Sequence, residues 1–397
     1  MANAKNKPNS GSTDRGRGDS GFSCSDSPEN RNPYSESLYS ENPDIGKVYR
    51  QRQKSEFDEL IESRRHAANG RRKRFFQLDT SSIAAFEKDA SRMRERLKEM
   101  LGWPLAPEPD GRPEASHEAI PEAKVHFVSE DRLGYIYRLE IEAGYGLTTY
   151  GLLFVPKKDG PHPLVISQHG GWGTPELCSG FYGDSNYNDM TRRVLKRGAA
   201  IFAPQLLLWR AETDGPEYHR HRYDNQLKQL GSSIAAVEIY KIQKALDYLI
   251  SRPDVDSTRI GMIGLSYGGF YTMFTAALDT RIRAAYSSCF INDRFVADWQ
   301  DFTWFDSGNT MLDAEICAFV APRFLYLEAG TRDETFLHVH ARREMDKVAE
   351  VYGRLNLPHR FCGKSFDGGH ELDPQDEGIE RFCRYLLHGE EERNRCQ

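Results

Sequence analysis

Ser266 stands in Gly264-Leu265-Ser266-Tyr267-Gly268-Gly269, a Gly-x-Ser-x-Gly pattern. An apolar run, Ile260–Ile263, precedes it, and Phe270, Met273, Phe274 and Ala277 follow at helical spacing. A serine between small residues at a strand-to-helix turn projects its hydroxyl from a tight bend, and the helix N-terminus behind it favours developing negative charge. An uncharged serine is a weak nucleophile, so a base must lie within hydrogen-bond reach. His370 offers one in the glycine-rich turn Asp367-Gly368-Gly369-His370-Glu371, directly after the apolar run ending at Phe366. The imidazole needs an acid to fix its tautomer. Asp333 ends the turn Glu328-Ala329-Gly330-Thr331-Arg332-Asp333 and is favoured over Glu328, which is still within the strand, and over Asp293. The chain order serine, aspartate, histidine suits acyl transfer. Such transfer also requires N–H donors for an oxyanion. The turn Ser167-Gln168-His169-Gly170-Gly171-Trp172-Gly173 supplies the Gly171 amide, and the residue after the serine supplies the Tyr267 amide.

Positioning these groups requires strand ends that face one way. Tyr135–Ile141 and Thr148–Val155 form a hairpin signal around Gly144-Tyr145-Gly146. Short strands then alternate with helices: Leu164–Ile166, Ala200–Ala203, Ile260–Ile263, Ile282–Tyr286, Phe324–Leu327 and Arg360–Phe366. The intervening helices are expected at 188–197, 233–251, 268–278 and 336–355, with 379–387 closing the chain. The pattern predicts an α/β class: a mostly parallel twisted sheet with an N-terminal antiparallel hairpin and helices on both faces. Every group named above then falls at the carboxyl edge of the sheet, where such folds bind ligands.

Upstream, residues 1–70 are polar and are expected to be a disordered tail, its basic cluster at Arg64, Arg65 and Arg71 to Arg74 solvated. Residues 71–120 read as a helical extension, with Ile83, Phe86, Ala90, Met93, Leu97 and Leu101 on one stripe before Gly102 and Pro104. Residues 121–390 form the catalytic domain, with cap loops at 205–232 and 289–322. These loops carry Trp209, Trp299, Phe302, Trp304 and Phe305, and Trp172 and Tyr182 lie near the oxyanion turn. Trp172, Trp209 and Trp304 are the aromatic faces expected to bind substrate, whose ring would be a sugar or an aromatic acyl group; the alternative reading is that these aromatics form the core of a cap. Arg210 and Arg220 are open to two readings, carboxylate recognition or solvation.

The chain has 397 residues and a formal net charge of −6, without the basic bias that nucleic acid binding needs. No apolar run reaches the length of a membrane span. Arg71-Arg72-Lys73-Arg74 is followed by polar residues rather than an apolar segment, so no export signal is read there. Seven cysteines without a Cys-x-x-Cys motif suit free thiols and a cytoplasmic location. His219-x-His221 and His338-x-His340 lack supporting cysteine or carboxylate spacing, so no metal is expected. The sequence is compatible with a homo-oligomer.

Over roughly residues 80–390, His169-Gly170-Gly171, the Ser266 hexapeptide, Gly330-Thr331-Arg332-Asp333 and Gly368-Gly369-His370 resemble the dienelactone-hydrolase and acetyl xylan esterase-like branch of the α/β-hydrolases. The serine motif is also similar to that of prolyl oligopeptidase-type catalytic domains. The resemblance implies hydrolysis of a small ester, less often an amide, with no cofactor. Two departures stand out. Dienelactone hydrolases proper carry a cysteine nucleophile where this chain has Ser266, and the region before residue 120 is too short and polar for the propeller of an oligopeptidase. A small-peptide peptidase and a non-catalytic binding module of the same fold are the alternative readings.

Overall fold

The computed structural model describes residues 42–103 and 120–389. The chain divides into two units, Met1–Glu62 and Ser63–Gln397. In the first, residues 43–62 are helical, and the helix they open runs as Pro43–Phe75. This corrects the expectation of a structureless tail up to residue 70. Low apolar content argues against burial, but a helix can rest on local terms. Here these are many Arg, Lys, Glu and Gln residues of good propensity, Asp44 in the first turn, and Arg72, Lys73 and Arg74 in the last. Residues 1–41 of the expected tail lie outside the described residues. Within the second unit, the basic cluster is not simply solvated. Arg65 donates to Asp293 at 2.8 Å, and buried Arg72 donates to Glu315 at 3.1 Å and to the Gly308 carbonyl at 2.6 Å.

The helix Ile83–Leu101 starts at Ser82, whose hydroxyl accepts from the Ala85 amide, and ends at Gly102 in the left-handed region at φ 85°. Phe86, Ala90, Met93, Leu97 and Leu101 are buried as the stripe requires, while Ile83 is exposed.

Nine strands form one sheet: β1 (Ala123–Glu130), β2 (Gly134–Gly144), β3 (Leu147–Pro156), β4 (His162–Gln168), β5 (Ala200–Pro204), β6 (Val255–Leu265), β7 (Ile282–Ser288), β8 (Phe324–Gly330) and β9 (Phe361–Phe366). Their order is β1-β2-β3-β5-β4-β6-β7-β8-β9. The first three strands are antiparallel to their neighbours, and from β5 onward the sheet is parallel. Strand β1 was not expected. It is an edge strand exposed along nearly its whole length, so it carries no burial alternation to read.

Helices cover both faces. Ile83–Leu101, Ile234–Leu249, Tyr267–Leu278 and His338–Arg354 share one core through Leu97, Ile239, Phe274 and Met345. Met190–Leu195 and Glu377–His388 share the other through Val194, Ile379 and Phe382. The long connections fold locally into the helices Arg220–Gln229 and Asp313–Ala318 with shorter turns between. Register then aligns the strand ends: Gln168 pairs Gly264, Leu265 pairs Ser288, Ser288 pairs Glu328, and Gly330 pairs Phe366. The residues that follow β4, β6, β7, β8 and β9 therefore emerge along one edge.

Candidate active site

Ser266 occupies the turn between β6 and the helix Tyr267–Leu278 at φ 59° and ψ −122°, a conformation costly for a side-chain-bearing residue. The turn closes because Gly268 has no Cβ, since one there would lie 2.1 Å from the Gln168 carbonyl oxygen. The Ser266 amide donates to the Ser288 carbonyl at 3.0 Å, and the next residue along, Cys289, donates its amide to the Glu328 carbonyl at 2.9 Å. The serine is thereby tied to the ends of β7 and β8. Ser266 is largely buried, with only a small part of its surface open.

His370 and Asp333 meet as expected: His370 Nδ1 lies 2.8 Å from Asp333 Oδ2. The other carboxylate oxygen accepts the amides of Thr335 at 2.8 Å and Phe336 at 3.0 Å. Burial opposes the Asp333 charge, but His370 and these two amides together hold its carboxyl below the usual range. Its loop and that of His370 are packed together. A Cβ on Gly330 would fall 2.2 Å from the Gly369 carbonyl oxygen, and the Arg332 amide donates to the Gly368 carbonyl at 2.9 Å. Asn186 donates to the His370 carbonyl at 3.1 Å.

The two competing acids are engaged elsewhere. Asp293 binds Arg65. Glu328 is inside β8, accepting from Tyr286 at 2.6 Å and from the Asp373 amide at 2.9 Å, and burial pushes its carboxyl up to about 7.

The turn after β4 runs beside the serine. A Cβ on Gly170 would lie 3.1 Å from Ser266 Cβ, and one on Gly171 would lie 3.2 Å from the Tyr267 ring. The Gly170 amide is already given to Tyr187 Oη at 2.8 Å. Among the described residues, the Gly171 and Tyr267 amides have no hydrogen-bond acceptor, so both are open to an anionic oxygen. His169 braces the turn: its Nε2 accepts the Leu206 amide at 3.1 Å, which leaves Nδ1–H to donate to the Gly170 carbonyl at 2.9 Å. Burial drives the His169 pKa down to about 4, so the ring is neutral.

Behind Tyr267 lies a buried ionic cluster. Arg220 donates to Asp301 at 2.6 Å, Glu238 at 2.9 Å, Tyr271 at 2.7 Å and the Leu207 carbonyl at 3.1 Å, while Tyr267 donates to Asp301 at 2.9 Å. Burial disfavours the guanidinium cation, but Glu238, Tyr271 and Asp301 hold it firmly charged. The two readings of Arg220 are thus both replaced: it is neither solvated nor open to substrate. Its partner Asp301 lies in the other cap connection, and no sequence spacing links the two.

The aromatic residues separate into three groups. Trp172 is 69% exposed at φ 55°, with the Arg210 guanidinium over its ring at 5.5 Å. Trp209 packs on Tyr218 within its own connection. Trp304, expected on a substrate wall, is instead buried edge-on against Phe274, filling the space beneath the cap. Trp299 lies near the serine turn: it contacts Tyr267 and Phe336, and Phe336 contacts His370. Its position in a long connection marked it as a candidate, but not as the one beside the serine loop. Cys289 is a third neighbour of Asp333 and His370 that no motif marks, although it follows β7 as the other site residues follow their strands.

Comparison with known proteins agrees with this architecture. The dienelactone hydrolase family matches residues 150–288. An acetyl xylan esterase-named protein of Bacteroides fragilis superposes with a TM-score of 0.56 at 16% identity, covering 79% of this chain and 85% of its own. The chain has the α/β-hydrolase fold. Among curated proteins, YtaP of Bacillus subtilis, whose name assigns it to the hydrolases, is 44% identical over 146 residues, 34% of this chain and 46% of YtaP. Acetyl esterase Axe7A of Xylanibacter ruminicola is 27% identical over 151 residues, 37% of this chain and 34% of its own. The chain thus spans less than half the length of these curated relatives. Among the described residues, no helix is long and apolar enough to cross a membrane.

Proposed function

We propose that this α/β-hydrolase is a serine esterase that cleaves carboxylic esters through an acyl-enzyme, with acylated carbohydrates as its substrate class. The observation that carries this reading is the 2.8 Å contact of His370 Nδ1 with Asp333 Oδ2, on strand-end loops beside a serine held in a strained turn. Asp333 fixes the Nδ1–H tautomer, which leaves Nε2 as the lone-pair nitrogen. Nε2 takes the Ser266 hydroxyl proton as Oγ attacks the ester carbonyl. The oxyanion is received by the Gly171 and Tyr267 amides, each such donor contributing about 2.7–4 kcal/mol of barrier lowering. His370 then protonates the leaving alcohol, and water repeats the sequence on the acyl group. The names of the Xylanibacter and Bacteroides proteins support an acetyl ester of a sugar, and the exposed faces of Trp172 and Trp299 offer flat platforms for its ring.

The test is labelling by a fluorophosphonate probe together with hydrolysis of acetylated xylo-oligosaccharides, simple aryl acetates and aminoacyl amides. Wild type should label and release acetate, and Ser266→Ala should do neither. Labelling retained in Ser266→Ala, or cleavage of the amides in preference to the esters, would overturn the proposal.

A further inference from the structure

Cys289 has no task in the acyl transfer above, yet its thiol stands beside both the acid and the base. Its Sγ, an Asp333 carboxylate oxygen and a His370 ring nitrogen all lie within 4.8 Å of one another. The three side chains descend from the ends of three adjacent strands, β7, β8 and β9. Cys289 and Asp333 are buried, while the His370 side chain is 25% exposed and gives the cluster an opening to solvent. The thiol's hydrogen-bond partners are the main-chain carbonyls on either side of His370, Glu371 at 3.2 Å and Gly369 at 3.7 Å. A thiol, an imidazole and a carboxylate are the three donor types that zinc accepts, and three protein ligands leave its fourth position open.

We propose that Cys289, Asp333 and His370 form an inhibitory site for a thiophilic divalent cation, zinc foremost, that captures the base of the triad. Zinc ligand distances of about 2.0–2.3 Å place donors about 3.3–3.7 Å apart around a tetrahedral centre. That spread fits within the 4.8 Å cluster, and the 2.8 Å separation of Nδ1 from Oδ2 must open by about half an ångström. The chemistry balances without any change of oxidation state. The thiol proton passes to solvent as sulfur binds the metal. Nδ1 gives its lone pair to the metal, and the ring proton is carried on Nε2 instead. Asp333 exchanges the N–H for a metal bond. An imidazole bearing its proton on Nε2 cannot accept the Ser266 proton, so the metal-loaded protein cannot form the acyl-enzyme. Magnesium and calcium, which prefer oxygen donors, are excluded by the sulfur and nitrogen.

The inhibitory consequence rests on the proposed serine esterase reading, but the site itself does not, and the experiment separates them. Cobalt(II) alone is added to the metal-free wild-type protein and to Cys289→Ala, which retains the other six cysteines. Wild type should develop a near-ultraviolet thiolate-to-cobalt charge-transfer band saturating at one equivalent, and Cys289→Ala should lack it. In parallel, zinc at ten times its Kd should reduce wild-type aryl acetate hydrolysis by about tenfold, reversibly with EDTA. Cys289→Ala should change less than about twofold against its own EDTA-treated rate. If near-ultraviolet circular dichroism shows that the alanine variant misfolds, Cys289→Ser takes its place. A band of equal strength in both proteins, no band in wild type, or equal zinc sensitivity would overturn the site. If metal-free wild type hydrolyses no ester and takes no probe, the esterase reading falls and the cobalt band still decides the site.

Discussion

Arg220→Met tests whether the ionic cluster behind Tyr267 is a structural support. The substitution keeps the length and apolar stem of the side chain and removes the cation. The Arg220 and Glu238 side chains are 9% and 3% exposed and Asp301 is fully buried, so neither orphaned carboxylate can turn to water. Breaking one buried pair costs about 3–5 kcal/mol. The second pair shares the same cation, so the two losses do not simply add. A loss of about 4 kcal/mol is a large part of the 5–15 kcal/mol typical of a folded domain. With an unfolding entropy of about 2.1 cal/mol/K per residue over roughly 330 residues, it lowers the melting temperature by about 6 °C. Calorimetry with parallel urea titrations measures this. Adding Glu238→Gln and Asp301→Asn should restore much of the loss, since an uncharged cluster leaves no unpaired ion. Activity should fall as well, because Asp301 holds the Tyr267 hydroxyl and Tyr267 supplies an amide beside Ser266. An Arg220→Met protein that melts within about 1 °C of wild type yet no longer binds substrate would refute the argument. The guanidinium would then be serving a ligand and not the fold.

Ser266→Gly should be more stable than Ser266→Ala by about 1 kcal/mol, because glycine adopts φ 59°, ψ −122° without strain; urea midpoints of the two inactive proteins decide it. Gly330→Ala forces a Cβ towards the Gly369 carbonyl and should lower kcat/KM by about a hundredfold as the base is displaced. Steady-state kinetics with an aryl acetate would read that loss, and a rate within a few-fold of wild type would contradict it. His169 carries a lowered pKa, so the unfolded chain binds its proton first. The stability it permits is full above about 6.5 and is lost as pH falls from there through about 4. That gap is worth about 3 kcal/mol, and His169→Gln should show a smaller drop between pH 7.5 and 4.5 in urea unfolding.

What could be read beforehand follows from how each feature is encoded. The buried strands announce themselves as short apolar runs, and the groups at their ends are then placed by chain order alone; Ser266, Asp333 and His370 are legible for that reason. The choice among acids rests on strand position, and the structure puts Glu328 inside β8 and Asp333 beside His370. Features that depend on the path of a long connection were not legible. Arg220 and Asp301 are 81 residues apart and meet only because two long connections converge behind Tyr267. Trp304 and Trp299 have the same chemistry, and five residues of local turn geometry send one into the core and the other to the rim. The helix Pro43–Phe75 is not legible from burial, because its signal is propensity and end charge.

The salt link between the two caps also bears on how such a protein could acquire a new specificity. Arg220 and Asp301 belong to separate long connections, yet each neutralises the other behind Tyr267, the residue after Ser266. Exchanging one connection for that of a relative would strand an ion in the interior, so a graft of a single connection should give insoluble or inactive chimeras. The two connections are therefore one unit, and laboratory recombination of this scaffold should move them together.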